Sequence, residues 1–231
     1  MNRSEADPDR QSLIDRQRTH WEQTFTSHPD IYGRLPSSPG AYAVDRFAAG
    51  GVSSVLELGP GQGRDTIALL KAGVQVTALD YAARPLAGIA AVAGPQLGSR
   101  LTTVVHDVRR PLPLPAASFD ASYSHMLFTM ALSSQELVGL AGEVHRVLRP
   151  GGLCIYTVRH TGDPHYGAGR ALGDNLYENG GFVVHFFDEL LVERLGSGFE
   201  IEDVTEFEEG ELPRRLWRIT MRRSDRPAPV P

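Results

Sequence analysis

The sequence predicts an α/β fold: a doubly wound, mainly parallel sheet of seven strands, with helices on both faces and an antiparallel last strand. Three observations predict it. Short apolar runs alternate with helix-length amphipathic segments along the chain. A glycine-rich turn, Gly59–Gly63, joins the first of these runs directly to a helix. The last two runs have the spacing of a hairpin, whose strands are antiparallel.

The individual elements follow from hydrophobic spacing. Strands are predicted where apolar runs are bounded by turn residues, at 53–58, 74–79, 101–105, 119–123, 153–158, 199–206 and 215–222. Helices are predicted where apolar residues recur at helical spacing, at 10–27, 40–49, 64–72, 83–93, from Ser133 to Leu148 and at 188–195. The helix after Ser133 is the best specified, because Ser133 and Glu136 form a capping-box pattern.

Composition and charge limit the possible functions. The 231 residues, 41% of them hydrophobic, suffice for one substantial domain. A formal net charge of -5 disfavours general attraction to nucleic acid or to an anionic membrane. The single cysteine, Cys154, excludes an intrachain disulfide and a cysteine-based metal site. The N-terminus lacks the apolar core of a signal peptide, so we expect a cytoplasmic protein without a membrane partner. We expect it to be a monomer or a homodimer.

The chain divides into three parts by composition. Residues 1–40 are predicted to form a helical lid and residues 41–225 the sheet domain. The proline-rich tail at 226–231 is expected to be disordered. Within the domain, a polar, glycine-rich stretch follows the fifth strand and is too long for a plain connector. We therefore predict an active-site loop at 160–186.

The glycine-rich turn is the most informative motif. It allows a ligand to approach the backbone closely, and ligands of open α/β sheets bind beyond the carboxyl ends of the strands. Asp80, at the end of the second predicted strand, can accept both hydroxyl protons of a ribose. The turn reads G-x-G-x-G with Arg64 where a dinucleotide fingerprint has its third glycine, and no Gly-Lys-Ser/Thr follows. The motif therefore predicts a nucleoside cofactor other than a dinucleotide or a nucleoside triphosphate.

These residues resemble the class I S-adenosylmethionine-dependent methyltransferase superfamily, whose first motif is an acidic residue, one further residue and then G-x-G-x-G. The residues that the resemblance assigns to S-adenosyl-L-methionine are Glu57, Gly59, Gly61, Gly63, Asp80, Tyr81, Asp107, Val108 and Ser124. It implies that Asp80 holds the ribose, that Asp107 meets the adenine amino group and that Ser124 lies beneath the methionine moiety. Leu148–Gly152 matches a turn often found before the fifth strand.

Plainer roles remain open for several of these acids. Glu57 could be a surface acid at a strand end. Asp80 could be the N-cap of the following helix, which is compatible with binding ribose. Asp107 could cap a turn before Pro111.

Candidate catalytic residues follow the fourth and fifth strands. Methyl transfer from a sulfonium is an in-line displacement, so the protein must align the acceptor and remove a proton where the acceptor carries one. His125 follows the fourth strand, and His160, Asp163 and His165 follow the fifth. We expect His160 or His165 to act as a base oriented by Asp163, with His185 a candidate for the opposite wall.

Two other interpretations of this group remain. The histidines and the aspartate could simply stabilise a long loop. A metal site is not predicted, since the spacing of His160, Asp163 and His165 matches no standard pattern.

The N-terminal segment is predicted to cover the cofactor. Tyr32 is the candidate for a cation–π contact with the sulfonium, worth about 1 kcal/mol. Trp21 is expected to pack in the core.

The leading hypothesis is methyl transfer to a heteroatom of a small molecule. The Gly63–Asp65 turn and the segments 177–181 and 184–187 are similar to small-molecule methyltransferases of the tellurite-resistance and thiopurine type. The alternatives are a protein, peptide or RNA methyltransferase, a non-catalytic nucleoside-binding protein, and a nicotinamide oxidoreductase. The acidic net charge disfavours RNA.

Overall fold

The computed structural model describes residues 16–17, 19–24, 27, 33–210 and 214–224. The strands are β1 Ser54–Leu58, β2 Gln75–Asp80, β3 Leu101–Val105, β4 Phe119–His125, β5 Leu148–Arg159, β6 Arg170–Gly173, β7 Leu176–Asn179, β8 Phe182–His185, β9 Phe199–Glu209 and β10 Arg214–Arg223. The helices with defined bounds are α1 Ser38–Ala49, α2 Arg64–Lys71, α3 Ala83–Gly98, α4 Ser134–Val147 and α5 Glu189–Leu195.

Seven strands form the central sheet, in the order β3-β2-β1-β4-β5-β10-β9. The strands from β3 to β5 are parallel, and β10 pairs antiparallel with both β5 and β9. The predicted mainly parallel sheet with an antiparallel last strand is therefore confirmed. The strand order reverses between β1 and β4, and such a reversal opens a crevice at the carboxyl ends of the strands.

The helices cover both faces of this sheet, as predicted. On one face α4 and α5 pack through Leu137, Leu140 and Leu191. On the other face α1, α2 and α3 pack through residues such as Phe47 and Ile89. Side chains of β5 alternate between the two resulting cores, as expected of a strand buried on both sides.

Several element ends differ from the predicted ones. The helix predicted at 83–93 extends to Gly98, with a kink at Gly94 (φ 54°) before Pro95. The fifth strand starts at Leu148, five residues early, because Leu148 pairs with Phe119 ahead of a register shift. The predicted capping box is present: Ser133 Oγ accepts from the Glu136 amide at 3.3 Å, and the Ser133 amide donates to Glu136 Oε2 at 2.8 Å.

The segment predicted as a loop at 160–186 contains a second sheet, so the loop prediction is wrong over most of its length. Its order is β6-β7-β8, and both pairings are antiparallel. Two tight turns make this possible: Asp174 and Asn175 have φ of 55° and 56°, and Gly180 and Gly181 have φ of 60° and 88°. Positive φ at both central residues is typical of the turns that join hairpin strands.

The described part of the N-terminal segment is helical and packs against this second sheet. The buried Gln17 side chain pairs with the free edge of β8: its Nε2 donates to the Val183 carbonyl at 3.1 Å, and its Oε1 accepts from the Val183 amide at 3.3 Å. Trp21 lies half-buried with its ring 5.7 Å from that of Phe182. These contacts satisfy backbone groups of an otherwise open strand edge.

Some predictions fall on residues that the structure does not describe. Tyr32, most of the proposed lid and the tail at 226–231 lie outside the described residues. None of the helices within the described ranges combines the length and the apolar character needed to cross a membrane.

Replacing Gln17 tests how the N-terminal helix is held. In Gln17→Ala, the Val183 amide loses its acceptor, and we expect its hydrogen exchange to accelerate about tenfold, since a hydrogen bond contributes about 1 kcal/mol. Hydrogen exchange followed by NMR measures the effect. Gln23→Ala, at an exposed position of the same helix, is the matched control. Equal protection of Val183 in the two variants would contradict the role of Gln17.

Candidate active site

The turn after β1 is built from glycines in the left-handed region. Gly59, Gly61 and Gly63 have φ of 68°, 56° and 86°. A Cβ on Gly59 would lie 2.7 Å from Leu127 Cδ1, and one on Gly63 would lie 2.4 Å from Ile89 Cγ1. Side chains at these positions would therefore strain the backbone and clash with packed neighbours. The turn leaves bare backbone at the carboxyl ends of β1 and β4.

Glu57 lies in β1 just before this turn and is not a surface acid. Its side chain is 2% exposed, and its Oε2 has no hydrogen-bond partner among the described residues. Burial raises the pKa of Glu57 to about 8; the neighbouring Thr66 side chain opposes this shift, and the carboxylates of Asp65 and Asp80 add smaller increases. A buried carboxyl oxygen without a partner is costly, so it is available to a donor on a ligand.

Asp80 is the last residue of β2 and is also buried. Its Oδ1 accepts from the Ala82 amide at 2.9 Å, and the Gly59 amide donates to the Leu79 carbonyl at 2.9 Å. The N-cap of α3 is Ala82, so the N-cap alternative for Asp80 is wrong. The half-buried Tyr81 follows it.

Residues that the resemblance assigns to the cofactor lie just after β3 and near the end of β4. Asp107 accepts from Arg109 Nε at 2.9 and 3.0 Å and from the Arg109 amide at 3.0 Å. Partial burial raises the pKa of Asp107, but these hydrogen bonds outweigh it and hold the pKa below its ordinary value. Val108 packs partly buried on the core. Ser124 Oγ donates to the Leu58 carbonyl at 3.0 Å, which ties β4 to the start of the turn.

His125 lies in a network that the sequence did not predict. Its Nδ1 lies 2.8 Å from Thr157 Oγ1, and its Nε2 lies 3.2 Å from Glu209 Oε2. Arg64, which follows the glycine turn, donates to Glu209 Oε1 at 3.0 Å. Burial raises the pKa of Glu209, but His125 and Arg64 lower it to about 2. This network joins the glycine turn to the ends of β4, β5 and β9.

Asp163 organises the candidates that follow β5. It is 3% exposed, and its carboxylate accepts from Arg159 Nε at 3.0 Å, the His165 amide at 2.8 Å and the Arg215 amide at 2.9 Å. His165 Nδ1 lies 3.2 Å from Asp163 Oδ1. Burial raises the pKa of Asp163, but these donors hold it below its ordinary value. Asp163 thus orients His165, whose side chain is 40% exposed.

The other two histidines lie elsewhere. His160 is buried and stacked on Trp217, with ring centroids 4.5 Å apart. Its Nδ1 accepts from the Gly162 amide at 3.1 Å, and burial lowers its pKa. No hydrogen bond between the His160 and Asp163 side chains is formed in the described structure, so the expectation that Asp163 orients His160 is wrong. His185 is fully buried with Nδ1 2.6 Å from the Leu132 carbonyl, so it does not form the expected opposite wall.

A cavity of about 190 Å³ lies beside these residues. It is lined by Arg159, His165, Ala168, Tyr177, Asn179, Phe182, Val184 and Phe186. Arg159 ends β5, and the two strands β7 and β8 supply one wall. The second sheet therefore forms a pocket at the same end of the central sheet as the glycine turn.

Comparison with known proteins identifies the central part of the chain. Residues 55–152 match the family model of a methyltransferase domain. The protein is thus an enzyme of the methyltransferase class, with S-adenosyl-L-methionine as its cofactor. No curated protein sequence matches the chain.

Solved structures share the fold of this methyltransferase at low identity. The chain is similar to 1,6-didemethyltoxoflavin-N1-methyltransferase of Burkholderia thailandensis, with 22% identity, a TM-score of 0.73 and coverage of 97% of this chain and 94% of that one. It is also similar to the N-methyltransferase NodS of Bradyrhizobium japonicum, with 13% identity, a TM-score of 0.63 and coverage of 88% and 98%. The [4+2]-cyclase SpnF has 18% identity, a TM-score of 0.67 and coverage of 92% and 96%.

The site residues of this methyltransferase fit its cofactor. The positive-φ glycines keep the turn tight and without side chains, so a nucleoside at the strand ends would meet backbone groups there. The unpartnered Glu57 Oε2 can accept from a donor of the cofactor, and Asp80 at the end of β2 would hold the ribose. When bound, the cofactor would supply an activated methyl group on a sulfonium, and these residues would bind and orient it.

The raised pKa of Glu57 predicts how stability depends on pH in the ligand-free protein. The folded state keeps the Glu57 proton up to about pH 8, whereas the unfolded chain loses it near 4.5. The folded state binds more protons between these values, so the free energy of unfolding falls as the pH rises through this interval. The total effect is roughly 3–5 kcal/mol.

Urea unfolding at three pH values across this interval measures the effect. Glu57→Gln stays neutral at every pH, so the variant should lose this part of the pH dependence. Parallel profiles for the two proteins would show that Glu57 is not protonated in the folded state.

Asp80→Ala tests the ribose contact. We expect the affinity for S-adenosylhomocysteine to fall by about 1–3 kcal/mol, the scale of a hydrogen bond next to a charge. Calorimetry gives the affinity. The melting temperature shows whether the variant is less stable because it lacks the hydrogen bond from the Ala82 amide. Asp45→Ala, at an exposed position on α1, is the control. An unchanged affinity in Asp80→Ala would remove this residue from the ribose site.

Proposed function

We propose that the enzyme transfers a methyl group from S-adenosyl-L-methionine to a heteroatom of a small molecule held in the cavity beside β5. The observation that carries this proposal is the position of the cavity. Arg159, at the end of β5, lines the cavity. Two residues before it, Thr157 pairs with His125 at the end of β4. Those strand ends flank the glycine turn, so a molecule in the cavity would lie on the methyl side of a cofactor bound there.

We further propose that His165 is the general base where the acceptor carries a proton. His165 lines the cavity, and its Nδ1 faces the Asp163 carboxylate. A hydrogen bond from Nδ1–H to that carboxylate leaves Nε2 as the proton acceptor and stabilises the imidazolium that forms. With S-adenosyl-L-methionine bound, its sulfonium would supply the methyl group to the acceptor's lone pair and leave as S-adenosylhomocysteine, and His165 would take the acceptor's proton.

The small-molecule assignment has two further supports. The cavity volume suits a compact acceptor better than a polypeptide segment. The toxoflavin-type relative is an N1-methyltransferase solved with bound 1,6-didemethyltoxoflavin. The finer resemblance to tellurite-resistance and thiopurine-type enzymes stays a prediction.

Replacing His165 tests the proposed base. Incubation with S-adenosyl-L-methionine and pools of small nitrogen, oxygen and sulfur nucleophiles, followed by detection of S-adenosylhomocysteine, first yields an active acceptor. With that acceptor we expect His165→Gln to lower kcat about 100-fold or more, with S-adenosylhomocysteine affinity unchanged.

His160→Gln is the matched control, because His160 lies outside the residues that line the cavity. A normal kcat in His165→Gln would place the base elsewhere. If no pool produces S-adenosylhomocysteine, methyl transfer to a small molecule itself is refuted.

A further inference from the structure

We propose that the acceptor is a flat, two-ring aromatic compound whose hydrogen-bond-accepting edge meets Arg159 and whose rings lie among Tyr177, Phe182 and Phe186. This inference rests on the proposed function, because it assigns the substrate class of the same cavity.

The walls of the cavity favour a flat ring. Side chains of β7 and β8 alternate, so that Tyr177 and Phe182 face the cavity while Leu176 and Val183 pack on the domain. The rings of Tyr177 and Phe186 lie 6.0 Å apart at 71°. Aromatic side chains in edge-to-face arrangements bind further aromatic rings through the same geometry. The cavity therefore offers aromatic surface on more than one side.

The third ring of the wall is held in place from behind. The rings of His20 and Trp21 meet Phe182 edge-to-face, with centroid distances of 4.3 and 5.7 Å. The amide of Gln17 is bonded to Val183, the neighbour of Phe182 in β8. The aromatic wall is thus preorganised, which lowers the entropic cost of binding a rigid ligand.

Arg159 sets the polarity of the ligand. The side chain is buried, its Nε and Nη2 donate to Asp163, and its guanidinium lies 5.0 Å from the Phe186 ring centre. Its Nη1 makes no hydrogen bond to any described residue. A guanidinium only donates, so the matching ligand group is an acceptor such as a ring carbonyl or a ring nitrogen.

The same charges disfavour an aliphatic amine. The Asp163 carboxylate already accepts from Arg159, from two backbone amides and from the His165 ring. A cationic amine in the cavity would therefore meet the Arg159 guanidinium without a free carboxylate to offset it.

The volume sets the size. An engineered apolar cavity of about 150 Å³ holds one benzene molecule. The cavity here, at about 190 Å³, is somewhat larger and partly bounded by exposed residues such as Asn179. It accommodates two fused rings lying flat.

Three probes with the same fused two-ring frame test the inference. Lumazine has ring carbonyls and ring nitrogens, quinoline lacks the carbonyls, and decahydroquinoline is a saturated cation. Calorimetry is carried out on the full chain saturated with S-adenosylhomocysteine, so that the nucleoside site is blocked. We expect lumazine to bind about tenfold or more tightly than quinoline, as for a hydrogen bond from a charged donor, and decahydroquinoline to bind least.

Variants then locate the binding. Phe182→Leu should weaken lumazine binding roughly three- to tenfold, while Phe199→Leu, a half-buried phenylalanine outside the cavity, should leave it unchanged. Arg159→Lys should weaken lumazine binding about tenfold and reduce the ratio of lumazine affinity to quinoline affinity. If Arg159→Lys does not fold, the comparison of Phe182→Leu with Phe199→Leu and the order of the three probe affinities still test the inference.

The outcomes separate the two proposals. Tight S-adenosylhomocysteine binding with no lumazine binding, or with decahydroquinoline equal to or tighter than lumazine, would overturn the inference alone. Equal lumazine affinity in Phe182→Leu and the wild type would also overturn it. Failure to bind S-adenosylhomocysteine would overturn the proposed function together with the inference that rests on it.

Discussion

The backbone turn at 59–63 depends on three glycines that adopt positive φ, and side chains pack directly against two of them. Leu127 lies against Gly59 and Ile89 against Gly63. These contacts hold α3 and the segment that follows β4 close against the turn. Both this close packing and the exposure of bare backbone depend on the absence of Cβ atoms on the glycines. The cofactor half of the site is therefore a property of the backbone.

The proposed acceptor half of the site depends instead on a buried charge. The Asp163 carboxylate joins the end of β5 to the start of β10 through Arg159 and the Arg215 amide, and it also holds the His165 ring. A buried carboxylate is tolerated when all its oxygens are hydrogen-bonded, as they are here. The contact that stabilises the loop is therefore also the contact that orients the proposed base. A structural role and a role in orienting a base are therefore compatible for Asp163.

The sequence predicted what local signals encode. The seven strands of the central sheet, the capping box at Ser133 and the glycine turn all follow from spacing within a few residues of each element. The second sheet does not follow from the sequence in this way: Asn179-Gly180-Gly181 is a turn signal, but the polar composition of 160–181 predicts a loop. The network of Arg64, His125 and Glu209 had no local signal, since Glu209 reaches the site through strand pairing from the far end of the chain.

Burial explains why the histidines could not be ranked from the sequence. His160, His165 and His185 are alike as residue types, but their neighbours give them different positions: one stacks on Trp217, one lies at the cavity and one faces the core. Strand alternation fixes the face of β8 on which His185 lies. Predicting that face therefore requires knowing that 182–185 is a strand of the second sheet.

Reaction and substrate are therefore encoded in different parts of the molecule. A shared fold does not fix the chemistry: the similar structures include both methyltransferases and the [4+2]-cyclase SpnF. In this chain the elements from β1 to β5 carry the motif of the methyltransferase domain, whereas the cavity is formed by the segment inserted between β5 and α5. Because that segment contributes its own sheet, its inward-facing residues can change without disturbing the glycine turn. Under the proposed function, specificity for the acceptor would be set by the cavity-facing side chains of β7 and β8 and by Arg159 at the end of β5.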